Sequence, residues 1–460
     1  MRKSRNFSMM YPRLKLARNL LREDGLLFVS IDDNEAEHMK VVLNELFGEE
    51  NFLAQIMWQK MYSGKADAAH FGRFHEYILC YSKNNDSVHI RLLPRTEAMD
   101  ARYTNPDDDP RGPWLSNDLT AAGERSAGHY EVHSPTGKVF DSPPGKHWLY
   151  SQETMEALLN DNRIYFGRNS EAFPRLKRFL TEVQQGRRVN TIWLHEEVGH
   201  TDEGTKEVKK HFPSGIEFQA PKPTRLLKQI LAISIEPKST DIVMDFFAGS
   251  GTTADAIFQL NAKTAGNTRF IMVQLPEPIE SSIFHNIAEL TKERLRRAGK
   301  KIREENPLFP GDLGFRVFKL ASSNIRAWEP DRDQLADSLF AAIEHLKTDR
   351  TEQDILYELL LKLGLDLCVP IETRQVAGEQ DLAHEIHAIG AGSLFVCLSP
   401  TIPQADVEPL ASGLVAWHQA LKPAGETTVV FRDSAFADDV AKINLTAILE
   451  QYGLANVRSL

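Results

Sequence analysis

Cysteine is scarce in this chain of 460 residues: Cys80, Cys368 and Cys397 are the only three. They stand too far apart for a CxxC clasp and are too few for a disulfide framework, so no metal site is expected and a reducing, cytoplasmic setting is. Long apolar runs are also missing. Nothing approaches the ~18 residues of a membrane span, and no membrane partner is expected. Positive charge is not in excess either: 54 Lys and Arg face 64 Asp and Glu, a net charge of −10. That balance excludes a wholly basic nucleic-acid-coating protein but says nothing of a local groove. What is present is an ordinary globular composition, 42% hydrophobic and 26% charged, in a length that allows two to four domains.

Residues 1–22 carry Arg2, Lys3, Arg5, Arg13, Lys15, Arg18 and Arg22 before the first acid, Glu23, as a transit peptide would. Met10, Leu14, Ala17 and Leu21 nevertheless share one helical face and Gly25 follows, which favours a core helix. Residues 26–31 form a nearly continuous apolar run, the kind buried on both faces of a parallel sheet. Asp32 and Glu35 have capping-box spacing ahead of a helix with Met39, Leu43, Leu46 and Phe47 on its apolar face. Strands are expected at 52–58 and 77–82. Residues 96–220 are rich in Pro, Gly, Asp and Asn and read as an insert. Within it, Arg163, Arg168, Arg175, Lys177, Arg178, Arg187 and Arg188 face only two acids, Glu171 and Glu182, in 163–188. Such a patch fits DNA phosphates, or else a solvated basic face. The α/β pattern resumes over 221–314. From 315 a smaller α/β domain is expected, with helices at 334–347 and 351–363 and strands at 393–398 and 427–432.

The most informative segment is 240–260. Residues 241–247 read as a buried strand, and Ala248-Gly249-Ser250-Gly251-Thr252-Thr253-Ala254 as a turn into a helix. Glycines permit positive φ and close backbone approach, and the helix N-terminus behind them offers unpaired N–H groups and positive dipole. Asp245, near the end of the strand, can accept from an ammonium. A second strand over 269–274 ends at Gln274, with Glu277 nearby, where an open α/β sheet reads ribose hydroxyls. Gly249, Gly251 and Ala254 also satisfy GxGxxA, so the turn alone leaves a nicotinamide enzyme open beside a nucleoside-cofactor enzyme.

Asp245-Phe246-Phe247-Ala248-Gly249-Ser250-Gly251-Thr252-Thr253 closely resembles the S-adenosylmethionine motif of amino-methylating DNA methyltransferases of the permuted, beta-type order. Residues 9–17 and 24–35 are similar to the helix and strand that follow the catalytic loop in modification subunits of type III restriction systems. His75-Glu76-Tyr77-Ile78-Leu79-Cys80 resembles their later catalytic-half strand, and Lys222-Pro223-Thr224-Arg225 the segment just upstream of the cofactor loop. The family's Asp-Pro-Pro-Tyr type loop should precede residue 9 and is missing. The one Pro-Pro, Pro143-Pro144, lacks the aromatic, lies in the insert and reads as a turn.

The resemblance implies a Rossmann-like, mostly parallel sheet built from 1–95 and 221–314, a target-recognition insert at 96–220, and a domain at 315–460 for subunit contact. It implies S-adenosylmethionine as cofactor, bound by Asp245, Phe247, Gly249, Ser250, Gly251, Thr252, Gln274 and Lys222. In that assignment Asp245 takes the ammonium, Gly249 and Gly251 allow close approach, Thr252 caps the helix, Gln274 meets the ribose and Lys222 the methionine carboxylate. The implied function is adenine-N6 methylation of double-stranded DNA. The implied partners are a restriction subunit, a second copy of the chain, and a separately encoded N-terminal fragment carrying the missing loop. No catalytic residue is assigned within the chain. An N4-cytosine methyltransferase would share every cofactor residue, and a catalytically dead DNA-binding subunit would keep the basic patch.

Overall fold

The structure is a computed structural model that describes residues 2–63, 70–123, 125–213, 218–236, 238–280, 283–326, 346–378 and 382–460, with side chains from Ser8 onward. Two compact units divide the chain, Met1–Gly314 and Phe315–Leu460. The helix expected over 334–347 lies outside the described residues except for its last two positions.

The first unit opens with α1 (Arg2–Leu20), whose Leu14 and Ala17 are buried as their spacing predicts. Strand β1 (Leu26–Ile31) and helix α2 (Ala36–Phe47) follow, then β2 (Phe52–Gln59) and β3 (His75–Ser82). Leu14, Leu27, Met39, Leu43, Phe47 and Tyr81 make one core cluster. The capping box is not formed: Glu35 is the N-cap and its side chain makes no capping bond. Asp32 instead closes a local turn, accepting from the Asn34 main-chain N–H at 3.1 Å and from its amide at 2.8 Å. The short polar side chain satisfies its own turn before it can reach the helix.

The expected single, mostly parallel sheet is not what these residues form. The strand order is β1-β3-β2, continued by β4 (Ile192–Trp193), with β3 antiparallel to both neighbours and β4 parallel to β2. The reason lies in the connections. Helix α2 returns the chain to β2 one strand-width away from β1, leaving room between them. The link from β2 to β3 carries no described crossover helix, so β3 fills that room antiparallel. Strand β4 belongs to the stretch expected as insert, yet Trp193 and Val198 pack with Ile56, Trp58, Ile78 and Leu226. The insert's own core holds Leu119, Val132, Trp148, Met155, Ile164 and Phe166. Its three-stranded sheet places Arg175–Phe179 between Trp114–Asn117 and Ile164–Tyr165.

Helices α3 (Thr201–His211) and α4 (Thr224–Ser234) lead to a βαβ unit: β5 (Ile242–Asp245), α5 (Thr252–Thr264) and β6 (Arg269–Met272). Strands β5 and β6 are parallel and form a sheet of their own. Helix α6 (Ile287–Glu305) packs against α5 and α3. The α/β class and the βαβ unit thus stand, while parallel pairing in this unit is confined to β5/β6 and β2/β4 among the described residues.

The second unit is one five-stranded sheet in sequential order: β7 (Ile371–Ala377), β8 (Ala383–Ile389), β9 (Leu394–Cys397), β10 (Thr428–Phe431) and β11 (Asn456–Ser459). The first three strands are antiparallel and the last three parallel. Strand alternation sends Phe395 and Cys397 toward α8 (Val407–Leu421) and α9 (Asp439–Gln451), and Leu394 and Val396 toward α7 (Glu352–Lys362). No helix of the described residues is long and apolar enough to cross a membrane.

Candidate functional site at the β5–α5 turn

Strand β5 ends at Asp245, and the chain then turns sharply into α5. The Asp245 carboxylate organises that turn: one oxygen accepts from the Phe247 N–H at 3.1 Å, the other from the Thr253 hydroxyl at 2.6 Å. Gly249 and Gly251 both have positive φ, +51° and +78°. They serve different needs. A Cβ at Gly251 would stand 2.7 Å from Leu295 Cδ1 and 3.0 Å from Thr291 Cγ2, so α6 packs where a side chain would go. A Cβ at Gly249 would meet nothing closer than 3.6 Å, from the Phe218 ring. Gly249 is therefore the less crowded of the two, a Cβ there making only ordinary contact with the Phe218 ring and the Phe247 carbonyl.

Several expected roles change. The N-cap of α5 is Gly251 in left-handed conformation, and Thr252 is the first helical residue. Ser250 and Thr252 are buried, their hydroxyls 3.1 Å apart, and both accept from the Arg294 guanidinium. Gln274 ties the two strand ends together: its Oε1 accepts from the Gly249 N–H at 2.7 Å and its amide donates to the Leu275 carbonyl. Thr291 donates to the Gly249 carbonyl at 2.5 Å. Phe247 is half-exposed against Phe246, and Phe246 reaches the cluster beneath α1 and α2. Lys222 pairs with Glu76 on β3 and lies 4.6 Å from the Trp58 ring centre. Burial of Glu76 works against its charge, but Lys222 and Lys60 outweigh it and hold the carboxyl below its usual range.

The turn therefore brings together a fixed carboxylate, two positive-φ glycines and the first turn of a 13-residue helix, whose leading N–H groups have no intrahelical partner. Such a constellation suits a ligand with both an ammonium and an anionic group.

Sequence reasoning missed Arg294, Asp255 and His211. Arg294 and Asp255 are 0% and 2% exposed and directly support the turn, yet Arg294 sits 44 residues from Ser250, in a helix rich in lysine and arginine where one cation does not stand out. Burial opposes the charge of Asp255, yet a hydrogen bond from His211 and the nearby Arg294 hold its carboxyl down at about 2.

The basic patch is largely neutralised, by Glu182 within the 163–188 window and by acids outside it. Arg163 bonds Asp161 and forks onto Glu182, Arg175 pairs with Asp118, and Arg187 lies 3.5 Å from Glu197. Lys177 is 1% exposed, 2.5 Å from Asp107 and 2.9 Å from Asp109, so it is a core cation and not a phosphate contact. Arg168, Arg178 and Arg188 are the exposed members.

Comparison with known proteins places this geometry. The chain is 34% identical over 325 residues to the type III restriction-modification enzyme StyLTI Mod subunit of Salmonella typhimurium, a match covering 68% of this chain and 48% of that one. It is 29% identical over 412 residues to the EcoP15I Mod subunit of Escherichia coli, covering 80% of this chain and 61% of that one. It is 30% identical over 329 residues to the EcoPI Mod subunit of Escherichia phage P1, covering 63% and 49%. The chain thus spans about half the length of the curated relatives it matches. The profile of the DNA methylase family N6_N4_Mtase matches residues 3–279, which include the turn and both strands beside it, and the chain belongs to that family.

Proposed function

We propose that this chain binds S-adenosylmethionine at the β5–α5 turn and supplies the cofactor-binding and DNA-recognition parts of an adenine-N6 DNA methyltransferase. In this reading it is the modification component of a type III restriction-modification system. The observation that carries the reading is Asp245, fixed by Phe247 and Thr253 at the mouth of a turn whose glycines and helix N-terminus face it. Asp245 has capacity beyond those two bonds to accept from the methionine ammonium. At Gly249 no side chain stands between the cofactor and the turn, and the neighbouring Phe218 ring is assigned to the adenine. The segment 96–220 contacts DNA through Arg168, Arg178 and Arg188, and 315–460 serves subunit contact. Partners are double-stranded DNA, a restriction subunit and a second copy of the chain.

Methyl transfer moves CH₃ from the sulfonium to an exocyclic amine, which then loses a proton. That amine is conjugated into its ring and needs positioned acceptors and an aromatic platform once the base is flipped out. We assign those groups to a segment that covers β5 and β6. The exposed apolar face of β5 and β6 supports this: Ile242, Met244 and Ile271 are exposed, although parallel strands are ordinarily covered on both faces. The test is calorimetric titration of S-adenosylmethionine into the wild-type chain and D245A, with labelled-methyl incorporation into duplex DNA as a second readout. One charge-assisted bond contributes about 1.5 to 3 kcal/mol, so D245A is expected to weaken binding by at least ~10-fold. Equal affinity in the variant removes Asp245 from the site. Methyl incorporation is expected only where an acceptor-plus-aromatic loop accompanies these residues.

A further inference from the structure

Arg294 on α6 is fully buried, and its described contacts lie with the turn, with α5 and with α3. Nη1 donates to the Ser250 carbonyl at 3.3 Å and to the Ser250 and Thr252 hydroxyls at 2.9 Å each. Nε and Nη2 donate to one oxygen of Asp255, at 3.3 and 3.0 Å. The other Asp255 oxygen accepts from Gln259 at 2.8 Å. Two side chains of α3 close the cluster: His211 Nε2 lies 3.4 Å from the Asp255 oxygen that Arg294 uses, and Glu207 lies 3.7 Å from Nη2. Glu207 is anchored in turn by the N–H and hydroxyl of Thr224 at the start of α4.

A buried ion pair is weak evidence for stability, because desolvation cancels much of its attraction. What the pair does here is geometric. The planar fork of an arginine fixes directions as well as charge. By holding the Ser250 carbonyl and two hydroxyls, it fixes the 250–251 peptide plane and the two side chains that flank the N-cap Gly251. Ordinary turn chemistry does not need a guanidinium for this, since the glycines already allow the backbone path.

We infer that Arg294 is a positioning residue of the cofactor turn, and that α3 adjusts it through His211 and Glu207, coupling the segment before residue 221 to cofactor affinity. This rests on the reading of the turn as a cofactor site. Because only the short helix His195–Val198 separates β4 from α3, a shift passed along that connection reaches Arg294 through two side chains. The linkage is reciprocal: the cofactor favours the same α3 position that DNA favours.

The experiment is hydrogen exchange of the full chain, read by mass spectrometry over peptides spanning 248–254, alongside thermal melting and S-adenosylmethionine titration. Four proteins are compared: wild type, R294K, H211A and the double variant R294M/D255L. The double variant removes both charges of the pair, which protects folding where R294M alone would strand the Asp255 carboxylate. With α5 and α6 still protected, R294M/D255L is expected to exchange the turn amides at least ~10-fold faster and to bind the cofactor ~10- to 100-fold more weakly. R294K, a single ammonium in place of a fork, should fall between. H211A should raise turn exchange about threefold without touching any turn atom, because the bond it removes acts on the turn at one remove. Wild-type exchange at the turn in a folded R294M/D255L overturns the positioning role, and wild-type exchange in H211A overturns the coupling. If exchange follows the expected pattern but no protein, wild type included, binds S-adenosylmethionine, the positioning stands and the cofactor reading fails.

Discussion

Gly249 and Gly251 look interchangeable as letters, two glycines framing a serine, and the structure separates them. Both need positive φ, which costs an L side chain about 1 to 2 kcal/mol. Gly251 carries a second demand, because Leu295 and Thr291 occupy its Cβ space. Overpacking there adds about 1 to 3 kcal/mol, tempered by rotation of the leucine terminus. G251A is therefore expected to lower the urea midpoint clearly more than G249A, and equal midpoints would show that α6 does not press on the turn. Lys177 makes the same point about charge. Its spacing among arginines reads as a phosphate contact, yet Asp107 and Asp109 lie about seventy residues earlier in the chain and draw it inside. K177M should destabilise by about 1.5 to 3 kcal/mol, because Asp109 keeps Arg111 but loses its buried cation, with unfolding read by circular dichroism. Asp245 and the glycines were legible because strand, turn and helix are contiguous. Arg294 and the partners of Lys177 were not, because burial of a cation is decided by acids that no local window contains.

At the scale of elements, runs of apolar residues announced strands reliably. The run at 26–31 is β1, that at 52–58 falls in β2, and 393–398 and 427–432 contain β9 and β10. Pairing was not legible, because a buried run reads the same whether its neighbour is parallel or antiparallel. The direction of β3 follows from a connection whose crossover content the pattern does not announce. Asp32 shows the finer limit: the spacing to Glu35 fits a cap, but a closer N–H two residues away competes and wins. Helix-to-helix ties have a pH consequence that can be measured. Asp255, which joins α5 to α6 and α3, has its carboxyl lowered to about 2 from an ordinary 3.8. A carboxyl depressed on folding stabilises the folded state above its unfolded value and loses that contribution as pH falls through the folded one. Asp109 is depressed likewise, chiefly by its bond to Arg111. Urea midpoints for Met1–Gly314 should thus hold steady down to about pH 4 and fall steeply from there toward pH 2. In D255N the part of that fall due to Asp255 should vanish, and an unchanged acid limb would mean the pair does not form in solution.

At the scale of the whole molecule, the division at Gly314 and Phe315 leaves the second unit with its own five-stranded sheet, covered by helices on both faces. A fragment over 315–460 is expected to unfold cooperatively on its own, by calorimetry, because both faces of its sheet find partners within the fragment. The first unit is the one that would meet DNA, and here net charge misleads. A chain with a net charge of −10 repels a polyanion at long range, so binding must come from a few cations left uncommitted. Of seven candidates in 163–188, Lys177 is buried and Arg163, Arg175 and Arg187 hold carboxylates. Each phosphate neutralised contributes about −0.9 to the slope of log affinity against log salt, so Arg168, Arg178 and Arg188 together should contribute about −3. Replacing these three with alanine is expected to flatten the measured slope by that amount, by fluorescence anisotropy on a random-sequence duplex. Replacing Arg163, Arg175 and Arg187 instead should leave the slope nearly unchanged, since those charges are already spent on Asp161, Glu182, Asp118 and Glu197. The reverse outcome would mean that the intramolecular pairs open on DNA and that the patch works as one surface of paired and unpaired cations alike.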